Sequence, residues 1–396
     1  MPLLTGLDVL VESRFAALKG KRVGLVAHPA SVDRHLRHAI DLLGHADGVT
    51  LAAIFGPEHG LLGQAQDLIH VHEDESQGHH AREERRLVSL YGATAASLRP
   101  SRDSLRDLDV LVIDLQDVGS RYYTFQATMM FCLEAALPLG LPVMVLDRPN
   151  PINGAAVEGP ALRAGYESFV GAHNLAIRHG MTIGELARLF AAERGLDGAA
   201  LEVVRCEGWQ RGQWHDQTGA PWVLPSPNMP TLDTATVYPG GCLIEGTNAS
   251  EGRGTTRPFE ICGAPWLDAQ KLADRLMDEK HPGVIFRPLW YRPTFQKHAG
   301  VDCGGVQLHV MDRESFQPTR VGLSVVAAMR DLSGGEFRWR TEIYEYVTDP
   351  IAIDLLFGSD RERKALEAGK SPAEIAQAWE AEEEAFRQRR RPFLLY

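Results

Sequence analysis

The sequence predicts an α/β protein: a Rossmann-like, mostly parallel sheet followed by a second, smaller α+β auxiliary domain. Three observations carry this. Residues 23–27, 49–55, 108–114 and 142–146 are apolar almost throughout, as strands covered by helices on both faces are. Helical patterns over residues 36–43 and 126–137 lie between them, and strand–helix alternation implies right-handed crossovers that bring all strand ends to one edge. From Gly263 the pattern changes to aromatic and alternating strand-like pieces among helices. A chain of 396 residues with 44% hydrophobic content can bury two ordinary cores. We therefore expect domains over 1–262 and 263–396.

Taken in order, a short helical approach over 6–18 leads into strand 23–27, which ends at His28-Pro29. Strand 49–55 ends in Phe55-Gly56-Pro57-Glu58-His59-Gly60. The Gly-Pro step stops the strand and leaves Glu58 on a tight loop, above the sheet edge where open α/β sheets bind ligands. A polar loop follows with His70, His72, Glu73, Asp74, Glu75, His79 and His80; its irregular spacing fits a solvated loop better than a metal cage. Strand 108–114 runs into Asp114-Leu115-Gln116-Asp117-Val118-Gly119-Ser120-Arg121-Tyr122-Tyr123-Thr124, and strand 142–146 into Asp147-Arg148-Pro149-Asn150-Pro151-Ile152-Asn153-Gly154. Four strand ends thus carry His28, Glu58, Asp114 and Asp147.

Residues 181–190 read as an amphipathic helix with Thr182 as N-cap and Glu185 in capping-box position, and residues 201–204 read as a fifth strand. Trp209, Trp214 and Trp222 stand in proline-rich backbone, where they suit either a sugar platform or a core. Residues 240–256 are dense in glycine, with Glu245, Asn248, Ser250, Glu251 and Arg253 between the glycines. Beyond them come a helix over 268–277, strands over 284–291 and 305–310, and helices over 321–332 and 372–387.

Composition excludes several classes. The net charge is -11, with 41 Lys and Arg against 52 Asp and Glu, so no basic stripe can hold a nucleic acid backbone. No segment approaches the length of a membrane span and no export signal opens the chain. Five scattered cysteines argue against a disulfide framework or a Cys-x-x-Cys metal site, and the expected compartment is the cytoplasm. His28-Pro29-Ala30-Ser31 stands where a dinucleotide fingerprint would be, and no Walker A sequence occurs. Asn248-Ala249-Ser250-Glu251-Gly252 lacks the first glycine of a nucleophile elbow. Carboxylates, arginines and aromatics remain.

Those motifs, together with Val157-Glu158-Gly159-Pro160, Glu245-Gly246-Thr247-Asn248-Ala249-Ser250-Glu251-Gly252-Arg253-Gly254 and the terminal Phe393-Leu394-Leu395-Tyr396, resemble the exo-β-N-acetylmuramidases of the NamZ/YbbC type over nearly the whole chain. The resemblance implies a Rossmann-like domain and an auxiliary domain with the active site in the cleft between them. It also implies release of N-acetylmuramic acid from the non-reducing ends of peptidoglycan fragments, so the expected partner is a muropeptide or a glycan ending in that sugar. Homo-oligomers are compatible with this.

Glycoside hydrolysis usually needs one carboxylic acid to protonate the leaving oxygen and a second group as base or nucleophile, or as orienter of the substrate's own acetamide. Glu58 is the expected acid. Glu251 leads for the second role, with Glu158 and Asp114 behind it. The lactyl carboxylate of muramic acid calls for a guanidinium: Arg121 and Arg253 first, Arg148 third, each reading equally well as a partner of Asp114, Asp117 or Glu245. His59, Gln116, Tyr122, Tyr123, Asp147, Asn150, Asn153, Asn228 and Asn248 complete the expected sugar contacts, with Ser250. No metal or organic cofactor is called for. A non-catalytic binding module for the same fragments is the alternative.

Overall fold

The computed structural model describes residues 2–66, 69 and 85–396; the histidine-rich stretch lies outside the described residues. A helix α1 (Gly6–Glu12), capped by Thr5, precedes strand β1 (Arg22–Ala27), helix α2 (Ala39–Gly44) and strand β2 (Thr50–Gly56). Then come β3 (Arg86–Ser89), β4 (Val110–Asp114), α3 (Phe125–Ala136), β5 (Val143–Leu146), α4 (Ile183–Glu193) and β6 (Leu201–Val204). All five pairings are parallel, in the order β3-β2-β1-β4-β5-β6. This is the Rossmann-like sheet expected. Strand β3 was not anticipated from the sequence, because it is short, only half-buried and begins with a charged residue.

The near-continuous apolar runs bury both faces. Leu25, Ile54, Val112 and Met144 pack with Leu7, Leu10, Ile40 and Leu43 from α1 and α2. The opposite-facing Val26, Phe55, Leu111 and Ile113 join a core that takes in α3 and α4 and continues into the second half of the chain.

There, α5 (Leu232–Gly241) leads to a second sheet, three antiparallel strands in the order β7-β9-β8: β7 (Ile261–Ala264), β8 (Val284–Tyr291) and β9 (Cys303–Val310). Helices α6 (Ala269–Asp278), α7 (Pro318–Asp331), α8 (Ala352–Phe357), α9 (Arg361–Glu367), α10 (Pro372–Gln377) and α11 (Glu380–Arg390) complete it. The helix expected over 372–387 is two helices, because the chain turns at Trp379 to bury that indole fully and bond its Nε1 to Glu362 at 3.2 Å. Position 262, where the change of pattern was expected to separate two domains, falls inside β7.

A helix crossing inside the second half sets where α5 lies. Gly240 on α5 and Gly322 on α7 touch backbone to backbone: a methyl at either would overlap the other helix, at the Pro318 or the Gly240 carbonyl. Because α5 feeds directly into Glu245, this crossing positions part of the candidate site described below. Overpacking of such a contact costs about 1–3 kcal/mol or more. Gly322→Ala should therefore lower unfolding stability by at least that range in denaturant titration; unchanged stability would mean the crossing has slack.

Candidate active site

The strand order puts the loops after β1, β2, β4 and β5 on one edge. After β2 the chain turns at once: Gly60 N bonds Pro57 O at 3.0 Å, and His59 takes a left-handed φ of 69°. That turn lifts Glu58 off the sheet. Its carboxylate is buried and accepts a 2.5 Å hydrogen bond from the Thr124 hydroxyl, which lies just ahead of α3. His59 Nδ1 bonds the Ala65 carbonyl at 2.9 Å. Burial lowers the His59 pKa more than the neighbouring Glu58 charge raises it, so the ring is neutral. With its proton on Nδ1, Nε2 is left as an acceptor.

The second half closes a cleft over Glu58. Its lining includes His59, Tyr122, Tyr123, Thr124, Asn228, Tyr238, Glu245, Arg253, Phe259, Tyr344 and Glu345. Glu245 accepts from Arg253 Nη2 at 2.7 Å and from the Tyr344 hydroxyl at 2.7 Å. Burial alone would raise its pKa, but Arg253 and the Tyr344 hydroxyl outweigh that and hold it below the usual carboxylate range. Glu245 is thus a buried anion. Arg253 also lies over the Phe259 ring, 5.1 Å from its centroid.

Glu345 reaches the cleft from an unusual turn. Tyr344 and Val347 exchange two backbone hydrogen bonds of 2.9 Å, with Glu345 at φ 46° and Tyr346 at φ 67°. Two-residue hairpin turns with both central φ positive normally carry Asn-Gly or Asp-Gly. Here bulkier residues occupy both places, a strain of order 1–3 kcal/mol each that surrounding contacts must hold. The loop after β3 supplies them: Tyr91 donates to Glu345 Oε2 at 3.1 Å and Tyr346 donates to the Gly92 carbonyl at 2.8 Å. Glu345 was not foreseen from the sequence; its only signal was the run Tyr344-Glu345-Tyr346 between segments of clear periodicity.

Other expected residues lie elsewhere. Glu251 does not line the cleft; it is buried against Lys297 at 3.0 Å and Arg253 at 3.5 Å, and so serves as an anchor for that arginine. Glu158 pairs with Arg178 at 2.7 Å and accepts from Thr319 N, joining the first half to α7. Asp114 and Arg148 form a two-pronged pair of 2.5 and 2.8 Å. Arg121 is wholly buried and donates to the carbonyls of Pro160, Leu175 and Leu356; burial lowers its pKa to about 10. It never reaches the cleft. Asp147 sits under the terminal Tyr396 hydroxyl at 2.6 Å, with burial pushing it up to about 6.

Asn150 and Asn153 cap their own loop by accepting from Ile152 N and from Ala155 N and Ala156 N, and Asn248 pairs with the backbone of Glu336 and Arg338. Ser250 pairs with β7, Asp117 lies against His179 at 3.2 Å, and Gln116 lines a different cavity. The tryptophans, which suited either a sugar platform or a core, lie outside the cleft: Trp214 is in the core, Trp209 packs on Tyr396, and Trp222 lines that other cavity. Tyrosines and Phe259 form the aromatic walls instead. His59, Tyr122, Tyr123, Asn228, Glu245 and Arg253 line the same cleft as Glu58. Among the described residues, no His, Cys, Asp and Glu cluster could hold a metal ion, and no helix is long and apolar enough to cross a membrane.

Two family models, the N-terminal and C-terminal parts of exo-β-N-acetylmuramidase NamZ, match residues 23–233 and 236–396. The chain belongs to the NamZ family. It is 43% identical, over 99% of its own length and 91% of the relative's, to the peptidoglycan β-N-acetylmuramidase NamZ of Bacillus subtilis. Two crystal structures of DUF1343 family proteins from Bacteroides fragilis superpose with TM-scores of 0.88 and 0.75, at 33% and 28% identity. Each alignment covers all of this chain and 99% of the other.

The histidines at the sheet edge give a pH dependence. His28 accepts from Gln116 N at 2.9 Å and donates to Pro225 O at 3.2 Å, and burial, then Arg148, lowers its pKa well below 6.5. His28 and His59 are neutral when folded but protonate in the unfolded chain as pH falls below 6.5. Unfolding then binds more protons, so their contribution to stability is lost on acidification. Melting temperatures should fall from about pH 7.5 to about pH 5.5, and His28→Gln should lessen that slope. An equal slope in the variant would contradict the neutral buried imidazole.

Proposed function

We infer that this chain is an exo-β-N-acetylmuramidase, a glycosidase that releases N-acetylmuramic acid from the non-reducing end of peptidoglycan fragments during cell-wall recycling. The observation that carries the chemistry is Glu58 on its turn after β2, in one cleft with the carboxylates of Glu245 and Glu345. Identity of 43% over nearly the full length to the Bacillus subtilis enzyme supplies the substrate class.

Each cleft residue then has a role. Glu58 is the general acid, oriented by Thr124, that protonates the glycosidic oxygen. Glu345 is the second carboxylate; strained backbone held in place at a cleft is where such groups concentrate. Glu245, kept ionised, stabilises the positive charge that grows on the sugar ring in the transition state. Arg253 meets the lactyl carboxylate, a guanidinium being suited to carboxylates. Tyr122 and Tyr123 flank the ring. The enclosed space is about 30 Å³, enough for about two waters, so a sugar enters only as lining side chains swing aside.

The substrate is a muropeptide or a glycan ending in N-acetylmuramic acid. All five cysteines are free and buried, which fits a reducing compartment, and we place the chain in the cytoplasm. We set the division between the two halves just ahead of α5, near residue 231, because β7 pairs with β9 and α5 packs on α7.

The test is hydrolysis of a chromogenic β-N-acetylmuramide, with the matching β-N-acetylglucosaminide as control. Turnover of the first alone is expected; cleavage of neither, with binding intact, would favour a binding module. Glu58→Gln should cut kcat at least 100-fold, the lower end of what a positioned acid contributes being about that size. Glu345→Asn should also lose at least about 100-fold in turnover while holding stability within about 1 kcal/mol, because Asn tolerates positive φ. Lost stability with retained turnover would remove Glu345 from the chemistry.

A further inference from the structure

We propose that the cavity beside the carboxyl ends of β1 and β4 is a second ligand site, and that it takes a neutral secondary amide flanked by a small apolar group such as a methyl. It encloses about 280 Å³, near the lower end of ligand-pocket size at about 300 Å³. It lies where the strand order reverses between β1 and β4, the position at which open parallel sheets bind ligands. None of its lining residues belongs to the Glu58 cleft. Residues 218–223 wall it on one side, while Ser226, Asn228 and Met229 from the same segment face the cleft.

The walls are mostly apolar, with Leu3, Val32, Pro149 and Trp222 among them. Two polar side chains that line this space each keep one atom without a protein partner among the described residues. Arg148 is 5% exposed and cannot turn: Nε and Nη2 hold Asp114, and Nη2 also donates to Val32 O at 3.0 Å. Its Nη1 is solvent-accessible and has no protein partner among the described residues. Gln116 Nε2 donates to Asp117 O at 2.7 Å and Pro149 O at 3.1 Å. Both being carbonyls, the amide's orientation is set, and Oε1 is left as an accessible acceptor.

One fixed donor and one fixed acceptor match the C=O and N–H of a secondary amide. A carboxylate would satisfy Arg148 but set oxygen against oxygen at Gln116. Charge agrees: Asp114 neutralises Arg148 and Arg37 pairs with Asp33, which leaves Asp8 and Arg34 as one charge of each sign along the wall. Peptidoglycan fragments offer this chemistry twice, as the acetamide of a further amino sugar and as the amides of a stem peptide. That choice of sources rests on the muramidase reading; the cavity's donor and acceptor do not.

Calorimetric titration of N-acetylglucosamine and of N-acetyl-L-alanine methylamide, a neutral stand-in for a stem-peptide amide, into the full chain tests this, with Glu58→Gln, Gln116→Leu and Ala220→Leu as variants, each checked for folding by circular dichroism. At least one probe should bind, and which one identifies the source. Glu58→Gln should bind it within twofold of the parent, while Gln116→Leu, lacking the acceptor, and Ala220→Leu, filling the cavity, should weaken it at least tenfold. Binding of neither probe, binding lost in Glu58→Gln, or binding unchanged in Ala220→Leu would overturn the second site. Hydrolysis of the β-muramide by the parent chain is measured alongside. Turnover without probe binding sinks the second site alone, and probe binding without turnover sinks the muramidase reading alone.

Discussion

The arrangement depends on one guanidinium. Arg253 is buried between Glu245 and Glu251, and Lys297 holds the far side of Glu251 while donating to the carbonyls of Ile244 and Ala249. Removing one partner from such a buried group leaves an uncompensated charge, a loss of about 3–5 kcal/mol. The network therefore fixes the glycine-rich loop as a unit. It also keeps Glu245 ionised in a site where burial alone would protonate it. Fold and electrostatics thus meet at the same residue.

Around that anchor, the parallel sheet contributes Glu58 and the second half contributes Glu245 and Glu345. Glu58 is carried on a rigid strand end and Glu245 on the turn after α5, whose position the Gly240–Gly322 contact sets. Glu345 comes from a third source, a strained turn pinned by Tyr91 and the Gly92 carbonyl. No single element makes the cleft. Its formation requires the core that runs unbroken from the sheet into the second half.

Much of this was legible in the sequence. Apolar runs located five of the six strands of the main sheet, and Gly56-Pro57 marked where Glu58 leaves it. The glycine-rich motif pointed to Glu245 and Arg253. What failed was the choice among charged residues. Asp114, Asp147, Arg121 and Arg148 stand at strand ends like Glu58, but each is consumed by a buried partner that is remote in sequence, such as Leu356 for Arg121 or Tyr396 for Asp147. Glu345 failed in the other direction: no periodicity flanks it, and its role depends on a turn conformation that its residue type disfavours.

The most direct test is a crystal structure of the Glu58→Gln variant with N-acetylmuramic acid bound. The sugar is expected between the substituted side chain at position 58 and Glu345, with its lactyl carboxylate on Arg253, lining side chains swung aside to admit it and the Tyr344–Val347 turn in place. A sugar seated away from this cleft, or within it but with the lactyl group turned from Arg253, would contradict the assignment of acid and anion-binding arginine alike.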